Sequence, residues 1–490
     1  MIAQPRLTAE QRTRASRTML RSACVVAAWI GVEACWIATG SPRQHQDFGL
    51  LLDDRVREVQ GEGRNGWDDL EEAGELYRVL SRSLEMGVES DDGFTVKRPD
   101  PTILYGHERP ADIHWELELF ERMGDRGIDE LVDRAVTAPV MIRPTEGRVD
   151  ESGLIGMLLP NLANFRHLAK AYVGRMHLAA EAGDDAELIA CFERVLVTAR
   201  ACRGQAFIID ALVACAIDAI AIEQLTVLIH EQALGEETCM GLIDAIDRQG
   251  WQPPTTLMFE GERATSLDIV QRMFSDDRHG SGRLSRHEAV GVSSLTGMPP
   301  TSMQSVVFGL HANREDTLRL IERFWDAQLQ YAALAPIARM GQRSAAMDIM
   351  ASLGYRDFIL QMLLPDVTKI LDQVDTARTR RAGLRVLLAI EAWSARHGEP
   401  PADLANLVPA FLDEEPADPL HGGPFRYLLL DEAAGGAFNG RRYLLLSTGI
   451  DGTLDVDPAD LAGATPDEML KMTETLLAPG GDLILNTVRE

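Results

Sequence analysis

Residues 160–203 read PNLANFRHLAKAYVGRMHLAAEAGDDAELIACFERVLVTARACR. Leu162, Phe165, Leu168, Ala169, Tyr172 and Met176 recur at three and four residues, the period that puts apolar side chains on one face of an α-helix. The pattern breaks at Glu181-Ala-Gly-Asp-Asp and resumes with Leu188, Cys191, Phe192, Val195 and Leu196. After Arg203-Gly204 a third run carries Ile208, Leu212, Ala216, Ile220 and Leu225. Such runs predict antiparallel helices joined by short polar turns. Their spacing, roughly 34–40 residues per pair, is that of tetratricopeptide-like arrays, but the consensus of those arrays is absent, so the reading is a helical-hairpin domain.

Working outward, helical sequence extends from about Trp67, with Asn65 as a candidate cap and acids in the first turn, to Gln373. The fold class is therefore mainly α, and the whole of 41–373 is assigned to helical domain. The chain has 490 residues, of which 46% are apolar and 25% charged, as a folded multi-domain protein requires. Its formal charge of −27 repels nucleic acid and anionic headgroups from most of the surface, which excludes a nucleic-acid partner.

Upstream, residues 1–21 hold Arg6, Arg12, Arg14, Arg17 and Arg21 against the single acid Glu10. Residues 22–40 are almost wholly apolar or small, and 19 residues at 1.5 Å each approach the roughly 30 Å hydrocarbon core. A basic segment ahead of such a span keeps the amino terminus in the cytoplasm and exports the chain beyond the span. The expectation is a single-pass anchor in the inner membrane, with the bulk of the chain on the periplasmic side. A cleaved signal peptide ending near Ala38-Thr39-Gly40, or a buried amphipathic helix bearing Glu33, are the alternatives. Cys191, Cys202, Cys215 and Cys239 lie in helical sequence without C-x-x-C spacing and read as core residues or as disulfide partners.

Two stretches gather acidic side chains, the first of them in the order of a calcium loop. Following a predicted helix at Glu260–Phe274, residues 277–288 set Asp277, Ser281 and Glu288 at positions one, five and twelve of an EF-hand-like loop, with Gly282 at six. His279 stands at position three, where a hard cation wants oxygen, so the loop is degenerate. Nearer the end, Asp451, Asp455, Asp457 and Asp460 place four carboxylates within ten residues, and residues 401–490 hold 16 acids against five bases. Clustered carboxylates are relieved by a bound cation or by solvent, and both readings stand. No enzyme constellation emerges: His107-Glu108 and His114-Trp-Glu116 lack H-E-x-x-H spacing, and G-x-S-x-G, Walker and dinucleotide motifs are absent.

The region from Asp375 to Arg396 predicts one amphipathic helix, stopped by His397-Gly398 and Pro400-Pro401. A short helix at about Asp403–Phe411 comes next, then strand-like runs at 425–430 and 442–447 joined by a Gly/Ala-rich turn. The series of long helix, His-Gly-x-x-Pro break, Asp418-Pro-Leu-His-Gly-Gly-Pro-Phe-Arg-Tyr427 and Tyr443-Leu-Leu-Leu-Ser-Thr-Gly-Ile-Asp-Gly452 resembles the globular domain of type II secretion major pseudopilins over residues 375–461. The whole chain also resembles large membrane-anchored proteins of planctomycete bacteria. The resemblance implies a small α+β domain at 374–464, a helix or tail at 465–490, and a calcium loop at Ser447–Asp460. A pilin-like subunit carries its apolar helix directly before this domain, whereas here the span lies more than 300 residues upstream, so the fold is carried over and the pilus role is not. The resulting expectation is an envelope protein with a structural or protein-interaction role. The rivals are an envelope hydrolase working through paired carboxylates and a cytosolic helical adaptor.

Overall fold

The computed structural model describes residues 42–85, 114–145, 149, 153–157, 160–251, 254–275, 282–285, 310–364, 368–430, 443–454, 481 and 483–486. Among them the chain is mainly helical, with 14 α-helices and one small antiparallel sheet. The helices are α1 (Phe48–Gln60), α2 (Trp67–Glu85), α3 (His114–Asp125), α4 (Ile128–Val136), α5 (Pro160–Ala182), α6 (Asp185–Arg203), α7 (Ile208–Glu231), α8 (Glu236–Arg248) and α9 (Leu257–Met273). They continue with α10 (Arg314–Ala332), α11 (Pro336–Arg339), α12 (Ala345–Ser352), α13 (Phe358–Leu363) and α14 (Thr368–His397). The proposed span at 22–40 lies outside the described residues.

The α5–α6 hairpin forms where the periodicity breaks. Gly183 turns the chain at φ +70°, a conformation that costs glycine nothing, and the Asp184 side chain caps α6 by accepting from Glu187 N at 3.0 Å. The buried faces of α2 and α4–α8 meet in one large apolar core, centred on Phe165, Tyr172, Phe192 and Leu225. Trp67 anchors α2 there, its ring edge-on to Phe165 at 5.2 Å. A second core gathers α9, α10, α12 and the start of α14 around Phe259, Phe274, Phe324 and Trp325, and a third holds α1 against Phe207 and Leu257.

α7 is the one described helix long and apolar enough to cross a membrane. Its packing marks it as a core helix. Leu225 and Leu228 are buried against its neighbours, and its two aspartates, Asp210 and Asp218, are sealed inside as ion pairs.

Between α4 and the start of α5, residues 141–145 follow a parallel bridge of Val140 to Asn65 and have no strand partner among the described residues. Side-chain amides take the place of one. Gln60 and Asn65 each both donate to and accept from this backbone, and Gln205 accepts from Arg143 N while donating to Met141 O. Thr145 N then donates to both Asp53 oxygens. Buried backbone must be paired, and these four side chains pair it.

α14 begins at Thr368, seven residues before the predicted start, because Leu371 and Val374 are buried in the second core. Its remaining length, Leu384 to Ala392, enters the first core beside α7 and α8. The expected boundary at 373/374 thus falls within a continuous helix shared by two cores. The short helix predicted at 403–411 is a 3₁₀ turn at Leu404–Leu407, capped by Asp403. β1 (Arg426–Leu429) pairs antiparallel with β2 (Tyr443–Ser447) in the register Tyr427↔Leu445. The segment read as a terminal helix or tail supplies β3 (Leu483–Ile484), which pairs antiparallel with β2 to give the order β1-β2-β3. Sheet and helix join at Tyr443 and Leu445, buried in the core that α14 also fills. Among the described residues the four cysteines of α6–α8 form no disulfide, and Cys191, Cys202 and Cys239 are buried in the first core.

Candidate functional site

The predicted calcium loop begins at the end of β2, where Ser447 and Thr448 are buried and Gly449 and Gly452 both take positive φ. Asp451 is half-buried, and its Oδ1 accepts from Thr453 N at 2.9 Å in a local turn. Asp455, Asp457 and Asp460 lie outside the described residues. So do Asp277, Ser281 and Glu288 of the EF-hand-like loop. The described part of that loop folds back: Leu284 bridges Phe274, Ser275 N donates to Arg283 O at 2.8 Å, and Ser285 N donates to Met273 O at 2.7 Å. Gly282 is needed for close approach, since a Cβ there would stand 1.6 Å from Ser275 O.

Opposite the β2 loop stands the turn 417–424, whose residues carry the family resemblance and are not among the sequence-predicted ligands. Asp418 is wholly buried. Its Oδ1 accepts from Leu420 N at 2.9 Å, and its backbone closes the turn with Gly422 and Gly423. His421 Nδ1 accepts from Gly423 N at 3.0 Å, which places the proton of the neutral ring on Nε2. That Nε2 lies 3.0 Å from Thr448 Oγ1 and 3.3 Å from Asp418 Oδ2. Asp418 has no exposure to solvent, and among the described residues its Oδ2 has no closer polar partner than this His421 Nε2.

The geometry decides between two uses of this cluster. A His–Asp pair activating Thr448 needs a free imidazole lone pair toward the hydroxyl and the carboxylate on the other nitrogen. Here the lone pair is spent on Gly423, and carboxylate and hydroxyl share the protonated edge. The cluster is a buried polar corner instead, in which Asp418 Oδ2 and Thr448 Oγ1 both face His421 Nε2. Among the described residues no group of three or more His, Cys, Asp or Glu side chains is placed to hold a metal.

Elsewhere the buried acids are committed to cross-links. Asp210 forms a two-pronged pair with Arg143 (3.0 and 2.7 Å), whose guanidinium lies between the Trp67 and Phe207 rings. Burial pushes the Asp210 carboxyl up and the Arg143 charge pulls it back. Glu262 accepts from Ile208 N at the start of α7, and its carboxyl is raised by burial and by the Asp210 charge. Asp218, without solvent exposure, accepts from Arg203 of α6 and from Arg381 of α14 at 3.0 Å. Burial pulls Arg381 down to about 10. Arg203 also stacks on Trp251 at 4.3 Å. Arg339 closes on Asp375, whose carboxyl burial raises. These pairs tie helices distant in sequence, and no motif spacing announces them.

Compared with protein-family models, curated proteins and solved structures, the chain matches none.

Proposed function

We infer that this chain is a single-pass inner-membrane protein whose exported helical body is a structural or protein-interaction scaffold at the cell envelope, ending in a pseudopilin-like α+β unit that binds calcium. The observation that carries the scaffold reading is the use made of buried charge. Asp218 and Asp375 lock α6, α7, α11 and α14 together through Arg203, Arg381 and Arg339, and Asp210 ties α7 to the 140–145 segment through Arg143. Buried ion pairs of this kind fix one arrangement of helices. Helical hairpins at tetratricopeptide-like spacing are suited to presenting a continuous surface to a protein partner. The basic segment 1–21 and apolar 22–40 support the anchor and its orientation.

For calcium, support comes from the donor set. Asp418 Oδ2 is a buried carboxylate oxygen that faces only His421 Nε2 among the described residues, and through Thr448 its turn adjoins the loop that runs into Asp451, Asp455, Asp457 and Asp460. Hard oxygens in that number suit Ca²⁺ with a dissociation constant of order 10⁻⁴–10⁻³ M, the range of extracellular modules. Calorimetric titration of the full chain in detergent tests it. About one site is expected, and no heat at millimolar calcium contradicts it.

A further inference from the structure

We propose that the body rests on the bilayer through the face surrounding Pro42, where Leu310, Tyr355, Leu50 and Leu51 enter the headgroup region. This rests on the anchor reading above. The chain enters the described structure at Pro42, two residues after the apolar stretch ends at Gly40, so Pro42 stands within about 7 Å of the end of the span.

Pro42 is fixed to the body. It bridges Ser275, and the backbone N–H groups of His45 and Gln46 both donate to the Gln271 side chain near the end of α9. From Ser275 an unbroken series of contacts leads to one corner of the molecule. Ser275 N donates to Arg283 O, Arg314 N to Gly282 O, Ala312 N to Arg356 O, and Arg356 Nε to Leu310 O. Phe274, His311 and Phe358 stack edge-on beneath it, at 5.4 and 5.0 Å between successive rings.

On this corner Tyr355 is 70% exposed and Leu310 49%. Leu50 and Leu51, 50% and 46% exposed, lie in the first turn of α1. That turn sits at the same end of α9, because Arg55 further along α1 pairs with Glu260 at the other end. Aliphatic and aromatic side chains of this kind partition into the interface, Tyr keeping its hydroxyl at headgroup level. Among the described residues the stretches that form this corner carry both signs of charge, Arg43, Arg283, Arg314 and Arg356 beside Asp47, Asp54, Glu315, Asp316 and Asp357. A second exposed apolar group, Leu334, Ile337 and Met340, lies past the far end of α10, roughly 27 Å along that helix. It provides the control.

The test uses the full chain in phosphatidylcholine vesicles, with Cys24, Cys35 and Cys215 replaced by Ala. A nitrobenzoxadiazole label is placed at Tyr355→Cys or at Met340→Cys, both on exposed positions. Flotation with the vesicles reports the anchor. Quenching by doxyl-labelled lipid reports the face. The expected result is co-flotation of both, with emission at position 355 falling on the order of twofold and emission at 340 unchanged. Equal quenching at both positions, or none at 355 in protein that floats, overturns the proposed face while leaving the anchor. Enhanced self-quenching at 355 without lipid quenching assigns the corner to a second copy and likewise overturns it. Protein that fails to float removes the anchor and the face together.

Discussion

Replacing Asp218 by Ala is the most demanding test of how the body is held. Asp218 is the shared anion of Arg203 and Arg381, which are 7% and 4% exposed. Its loss leaves two guanidiniums buried with one carbonyl each, Gly250 O at 3.4 Å and Ile246 O at 3.1 Å, and the Trp251 face against Arg203. Removing one partner of a buried pair costs about 3–5 kcal/mol. The remaining carbonyls and ring offset part of the second cation, so the expected loss is about 4 kcal/mol, on the order of a thousandfold in the folded ratio. Urea unfolding followed by circular dichroism measures it. Arg381→Met makes the sharper comparison, because it leaves Arg203 and Asp218 as a balanced pair. It should cost less than half as much, and Asp218→Ala combined with Arg203→Met and Arg381→Met should recover most of the loss. If Arg381→Met is as damaging as Asp218→Ala, or if the latter costs under about 1 kcal/mol, the charge-sharing argument is wrong.

Three further outcomes rest on individual groups. The Glu262 carboxyl is raised above its ordinary 4.5 by burial first and the Asp210 charge also, so the folded state favours its neutral form. Its contribution is complete below the unfolded pKa and is lost as pH rises through the raised value. Glu262→Gln, whose amide oxygen still accepts from Ile208 N, should therefore gain stability over the parent at pH 7 and match it at pH 4; an unchanged difference across that range counts against the assignment. Gly261→Ala puts a Cβ 1.8 Å from Ala206 O, a backbone atom that cannot step aside. It should cost about 3 kcal/mol in thermal or urea unfolding, and a neutral result means α9 is not held against that loop. Asp451→Asn with Asp457→Asn should abolish the calcium heat seen with the parent chain, whereas survival of full binding would move the site to other oxygens.

Much of the fold can be read directly from apolar period. Leu162 to Met176 and Leu188 to Leu196 announce α5 and α6, and Gly183 announces the turn, since each is decided by neighbours within one or two helical turns. The hairpin of β1 and β2 and the stop after His397 are local in the same sense. What escapes is long-range. The 140–145 backbone is paired by Gln60, Asn65 and Gln205, polar residues with no periodic signature, and α14 is extended by tertiary burial of Leu371 and Val374. Asp218 and Arg381 are 163 residues apart, so an aspartate within an apolar helix could only be read as an anomaly. At the carboxy-terminal site the carboxylate count is visible in the sequence, but Asp418 and His421 stand there only as motif letters. Their role depends on which nitrogen faces Gly423, a fact of geometry alone.

The proposed topology puts an anchored body on the outer side of the inner membrane. Carbonate extraction of native membranes, followed by protease treatment of spheroplasts, addresses it directly. The expected result is a carbonate-resistant chain whose helical body is cleaved from outside while the basic amino-terminal segment is protected. Recovery of the intact protein in the soluble cytoplasmic fraction contradicts it.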